Sequence, residues 1–365
     1  MGMISGLVIL AHFFDGQIYW FDTRLDELLD PAPPQGKPRL ALQGIWSGHS
    51  SSLKSLIRTA NGKAIMSSTD AEEHIVWTKF MARGALYLFK QSELFPPEAV
   101  QLAVVMDVGK LVLTMHRRFV ILWDTSQGTA VELGRCEYSL EGKVLSLLLL
   151  PESNNGLRTL HVVAVTSMMR GIAWEIKAQP EDPHSRDENV LRLQQYSEFD
   201  LGETEEHHIL LSVDPVGWTA TMGGTLDRFS RDVVTSITPS GFLRSWSARV
   251  NPETKEIHWL ATFSVDTGVE LASLLRGSSL GKVAVVGPNR NDLSIWATRC
   301  AQLEYQVEFE KHEVIMDLDW ACTPDSQSIL SVGFRHRVLL LSQMRYDYLQ
   351  GGPSWAPFRE VKIRE

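Results

Sequence analysis

Short apolar runs of six to eight residues recur along the chain, at 7–13, 63–69, 110–116, 160–167, 232–237, 281–286 and 327–334. Each is followed by a tight polar break and a second apolar run ending on a large side chain: Trp20, Trp77, Trp123, Trp174, Trp246, Trp296 and Leu341. The runs are short, rich in Val, Ile and Leu, and bounded by Gly, Asn, Asp or Ser, so they read as strands joined in hairpins. Two further strand-like runs precede each later hairpin. The nearer set starts at 53–58 and ends at 315–320, while the farther set starts at 39–46 and ends at 303–309, with 358–363 as a seventh member.

Four strands per repeat, with anchors spaced 57, 46, 51, 72, 50 and 45 residues apart, predict a propeller, whose blades recur at roughly 40 to 50 residues. The fold class expected is all-β: a WD-repeat-like β-propeller of about seven four-stranded blades, one incomplete, occupying 1–365 as one domain. The count behind the missing strand is seven hairpins and seven farther strands but six nearer ones. Segment 344–365 therefore reads as the start of a further or closing blade, and the chain as a piece of a longer protein.

Composition fits a large core: 44% of residues are hydrophobic and 22% charged. No apolar stretch approaches the roughly 18 residues of a membrane-spanning helix. No positive region precedes the first apolar run, and Cys136, Cys300 and Cys322 are scattered and odd in number, so a cytoplasmic, reducing setting is expected. The net charge is −9, and residues 181–206 alone hold nine acids against two bases. Binding to nucleic acid is not supported without concentrated Lys and Arg. The 72-residue step between Trp174 and Trp246 is assigned to an acidic inserted loop at 179–206.

Candidate chemistry is sparse. His49, after Gly48, is placed to donate to Asp70 in the hairpin turn that leads to Trp77, and Trp123-Asp124 is the one literal Trp-Asp pair; both read as braces within a blade. Gly277 to Gly281 matches G-x-S-x-G around Ser279, but that motif needs a strand feeding a helix, and a strand follows here. Asp317 and Asp319 share one strand face beside Trp320 and read as a solvated rim. His207 and His208 face opposite ways, and His116, His161, His312 and His336 stand alone, so no metal, cofactor or catalytic residue is expected. Candidate partner-binding residues are Glu203, Glu205 and Glu206 in the acidic stretch and Arg335, His336 and Arg337 in a basic turn.

The most specific wording lies near the end: VIMDLDW at 314–320, TPDSQSILSVGF at 323–334, RYDYL at 345–349 and GPSWAPFREV at 352–361. With GIWSGHSSSLKS at 44–55, it resembles the large WD-repeat subunit of the RAVE complex, the rabconnectin-3 or DmX-like family. The resemblance implies a non-catalytic scaffold that helps rejoin the cytosolic sector of the V-type proton pump to its membrane sector. Its implied partners are V-type ATPase cytosolic-sector subunits and other RAVE subunits, met by a cytoplasmic protein recruited peripherally to vacuolar or endosomal membranes without inserting. A generic WD-repeat scaffold for vesicle coats or a ubiquitin ligase is the alternative, and a propeller hydrolase using Ser279 or a carboxylate pair a remote one.

Overall fold

A computed structural model describes residues 2–5, 8–12, 17–22, 42–59, 62–82, 85–150, 159–180, 189–202, 206–212, 234–251, 254, 256–278, 281–298, 300–321, 329–347 and 352–362. These residues form seven sheets of four antiparallel strands each, so no blade among them is short of a strand. Blade 1 holds β1 to β4 (Gly2–Ser5, Val8–His12, Gln17–Asp22, Leu42–Ser47) and blade 2 holds β5 to β8 (Leu53–Arg58, Ala64–Thr69, His74–Ala82, Ala85–Leu94). Blade 3 holds β9 to β12 (Leu102–Met106, Leu111–Met115, Phe119–Asp124, Val131–Glu137) and blade 4 holds β13 to β16 (Val144–Leu149, Thr159–Thr166, Arg170–Pro180, Asn189–Asp200). Blade 5 holds β17 to β20 (Leu210–Ser212, Val234–Ile237, Phe242–Asn251, Glu256–Asp266). Blade 6 holds β21 to β24 (Leu274–Gly277, Lys282–Val286, Asp292–Ala297, Gln302–Glu308) and blade 7 holds β25 to β28 (Ile315–Trp320, Ile329–Phe334, Arg337–Asp347, Gly352–Lys362).

Two expectations are corrected by this order. The strands called farther do not open the blade that follows them; each pairs with the hairpin before it as the outer strand. Residues 358–362 accordingly lie in β28 and complete blade 7, and the strand counted as missing is β1, only four residues long. The segment read as an acidic loop is also largely sheet. Residues 189–200 form β16, whose Leu191 and Leu193 pack on the core between blades 3 and 4 while alternate polar residues face out. Residues 181–188 and 203–205 lie outside the described residues.

The inner strands neighbour one another around the ring in chain order, and β25 returns to β1. The second strands of blades 2, 3 and 7 are buried throughout: β6, β10 and β26 have no exposed position, because each of these sheets is covered on both faces by its neighbours. One apolar cluster fills the gap between blades 3 and 4, another that between 4 and 5, and a third that between 6 and 7. Burial of this kind is the main stabilising term of the ring.

Each anchor sits beside a bulge. In blades 2 to 7 the pairing of the third with the fourth strand slips by one residue at the step into the anchor, and in blade 1 one step after Trp20. A bulge leaves one residue unopposed and re-aims its side chain. In blade 2 that residue is Gln91, whose amide reaches Gly109 O (2.6 Å) and Thr125 O (2.7 Å) of blade 3. In blade 6 it is Glu304, which accepts from Trp355 Nε1 of blade 7 (3.1 Å) and pairs with Lys282.

Candidate functional site

In blades 2 and 3 a polar thread runs from the anchor tryptophan towards one face of the ring. Counting two residues past the second-strand partner of each anchor gives Ser67, Thr114, Ala164, Ser236, Val285 and Val332 in blades 2 to 7. In blade 2, Trp77 Nε1 donates to Ser67 Oγ (2.7 Å), and His49 Nε2 sits 2.6 Å from the same hydroxyl. In blade 3, Trp123 Nε1 donates to Thr114 Oγ1 (2.8 Å), which is 2.9 Å from His116 Nε2. His116 Nδ1 lies 3.1 Å from Ala99 O, so that nitrogen carries the proton and the threonine hydroxyl donates to the other. In blade 5, Ser236 Oγ is 2.6 Å from His208 Nδ1.

The brace expected between His49 and Asp70 is therefore drawn differently. His49 Nδ1 faces Glu73 Oε2 at 3.4 Å, while Asp70 accepts from Ser52 Oγ at 2.8 Å. The reason is the turn: Glu72 takes a left-handed φ of 59°, which swings Glu73 back beneath His49. Asp124 braces its own turn, accepting from Ser126 N at 2.8 Å.

The loop entering each blade and the turn between its second and third strands share one face. Four blades clamp these two together with different chemistry. Glu73 accepts from Ser50 N (3.0 Å) in blade 2, Arg170 Nη1 donates to Glu141 (2.9 Å) in blade 4, Ser240 Oγ donates to Glu206 (2.5 Å) in blade 5, and Arg337 Nη2 meets Glu313 (2.6 Å) in blade 7. Glu206 is thus exposed yet engaged, and the Ser240 hydroxyl lowers its carboxyl below the usual range. Glu203 and Glu205 lie outside the described residues.

Arg337 is not a free cation of the basic turn. Its guanidinium stacks 4.5 Å from the Phe334 ring and also reaches Glu360 at 3.4 Å, with the side chain 20% exposed. Arg335 and His336, at the tip, are exposed. Together with 312–314, Met316 and Lys362 they surround a cavity of about 790 Å³.

A second cavity, about 510 Å³, is the central channel. Asp317 and Asp319 line it, which corrects their reading as a solvated rim. Asp319 is held by Arg58 (3.3 Å) and Asp317 by Arg276 (3.3 Å), because inner-strand side chains of successive blades converge on the axis. Neither pair was legible from local sequence, since the partners lie in different blades. Ser279 is outside the described residues, and β21 and β22 on either side of it form a strand pair, without the helix a nucleophile turn requires. His208 is buried beside Ser236 and His207 is exposed, so the two do not converge. Among the described residues no group of three His, Cys, Asp or Glu side chains is placed to hold a metal ion, and no helix is long and apolar enough to cross a membrane.

Residues 241–365 match the family model described as RAVE protein 1 C terminal. The chain is 30% identical over 334 residues to "Regulator of V-ATPase in vacuolar membrane protein 1" of Schizosaccharomyces pombe, covering 87% of this chain and 24% of that protein. It is 26% identical over 334 residues to the Saccharomyces cerevisiae protein of the same name, covering 88% of this chain and 23% of that one. The chain thus spans about a quarter of the length of these relatives. The resemblance to the large RAVE subunit is established over most of the chain. In fold, the chain is similar to the crystal structure of Saccharomyces cerevisiae Sqt1 (TM-score 0.56, 12% identity, 100% of this chain and 84% of that one). It is also similar to the β-propeller domain of Cps50 (Swd1) from Myceliophteria thermophila (TM-score 0.59, 14% identity, 94% and 98%).

Proposed function

We propose that this RAVE-related propeller is a non-catalytic docking platform in a regulator that promotes rejoining of the cytosolic sector of the V-type proton pump to its membrane sector. The observation that carries the reading is a seven-sheet ring whose aligned relatives, over most of its length, are named as regulators of that pump. The polar threads and the carboxylate pairs support it: the side chains best suited to acid–base work brace single blades or tie one blade to another. On this reading the protein works beside vacuolar or endosomal membranes through contacts with cytosolic-sector subunits and other RAVE subunits.

Affinity capture from cytosol with the folded chain tests it. Recovery of cytosolic-sector pump subunits or RAVE partners is the expected result. Recovery of coat or ubiquitin-ligase components in their place would transfer the platform to another assembly, and recovery of neither would remove the reading.

A further inference from the structure

The cavity on the loop-bearing face of blade 7 has an apolar floor where a surface strand end ought to be polar. The floor exists because of a bulge. Pairing between β25 and β26 passes from Ile315 opposite Phe334 to Asp317 opposite Gly333, leaving Met316 unopposed and turned outward, 47% exposed. Val314, 37% exposed, lies beside it in the same cavity. The corresponding slip in blade 2 turns out Lys54, a residue that solvates itself, so an outward thioether here is not a requirement of the fold.

The walls are charged, and their charges are unevenly used. Glu313 and Glu360 both pair with Arg337, and Lys362 adds a second cation to Glu360 at 3.9 Å. Arg335 stands exposed at the tip of the turn, leaving the cavity with three fixed cations against two carboxylates. The whole chain carries −9, so this is a positive-edged apolar hollow in an acidic molecule. Methionine adapts to varied apolar shapes, and arginine takes carboxylates in a two-point grip.

On the reading of the chain as a docking platform, we propose that this hollow binds an acidic segment of a partner protein, one apolar side chain seated on Met316 and Val314 and a neighbouring carboxylate on Arg335. A phosphate backbone or an anionic membrane surface calls for many clustered Lys and Arg, and a single-charge excess within a net-negative chain does not supply them.

The test is to pan a random peptide library displayed on phage against the full chain, then measure a selected peptide against variants by fluorescence anisotropy. Enriched peptides should pair Asp or Glu with an apolar residue. Their affinity should weaken with salt and drop by about tenfold or more in each of Met316→Asp and Arg335→Glu. Both positions are exposed, and thermal melting checks the fold; a variant that melts early is replaced by Val314→Asp. Absence of enrichment, enrichment without acidic residues, or affinities unmoved by the variants would overturn the proposal. So would phosphatidylserine vesicle binding or self-association that the same variants abolish. If pump subunits are still captured while peptides bind elsewhere, the hollow is lost and the platform stands; if no subunits are captured, the peptide result still judges the hollow.

Discussion

Arg58 and Asp319 are 261 residues apart in the chain and meet at 3.3 Å in the central channel. Arg58 lies on the inner strand of blade 2 and Asp319 on that of blade 7, and β1 of the intervening blade borders both strands. The same guanidinium also donates to Trp320 O at 3.4 Å, so one side chain ties blade 2 to blade 7 across the blade between them, where the ends of the ring meet.

Removing either partner should therefore loosen that seam. The two side chains are only 16% and 17% exposed, which places the pair between surface and buried ion pairs. Arg58→Ala is expected to cost about 2 kcal/mol in urea unfolding, with faster amide exchange in β1 and β25 than in β13. Unchanged exchange at the seam would contradict the role given to Arg58.

Trp174 Nε1 is buried with no hydrogen-bond partner among the described residues. Its blade has Ala164 where Ser67 and Thr114 receive the anchors of blades 2 and 3. Ala164→Ser should supply the missing acceptor and stabilise the protein by about 1 kcal/mol, whereas Thr114→Ala, which orphans Trp123 and His116, should cost about 1 to 3 kcal/mol. Denaturant midpoints of the two variants would move in opposite directions.

Gly48 lies against the Trp77 ring, and a Cβ there would fall 2.6 Å from ring carbon Cη2. Gly48→Ala must displace the anchor or the loop that delivers His49. A loss of about 1 to 3 kcal/mol, seen as an earlier thermal midpoint with a shifted tryptophan emission, is the expected outcome.

Five histidines fold neutral. Burial lowers His49, His74, His116 and His161, and for His208 burial and the nearby Arg244 bring the value from 6.5 to about 4. As pH falls below about 6.5 the unfolded chain takes up protons that the folded chain refuses, so stability is full above that value and is lost towards pH 4. His208 alone should account for about 2 kcal/mol by roughly pH 5. Unfolding midpoints at neutral and mildly acidic pH should show this slope in the wild type and a reduced one in His208→Gln; a flat wild-type profile would refute it.

The hairpins, the anchors and the period were legible because they depend on local alternation of apolar runs and turns, and they gave the sevenfold ring. Assignment of the outer strands went wrong for a physical reason: a run such as Val131–Glu137 lies between two hairpins in sequence, and only pairing decides which one it joins. Gly2–Ser5 was too short to register against the apolar run behind it. The His49 brace was legible as a contact between entry loop and turn, but its partner depended on the left-handed Glu72, which no composition rule predicts for glutamate. The Arg58 and Arg276 pairs, and the outward Met316, required the ring and the bulge to exist before they could be seen.

Every blade is made of consecutive residues, β1 to β4 in the first and β25 to β28 in the last. Among the described residues no strand from one end of the chain is woven into the sheet at the other, so these blades form a circle by side-chain contact and a ribbon by covalent connection. A pull that separates β1 from β25 would part blade 1 from blade 7 first, and would meet the Arg58 contact that spans them before any hairpin is unzipped. Opening at that seam would leave all seven sheets whole, because none of them draws strands from both sides of it.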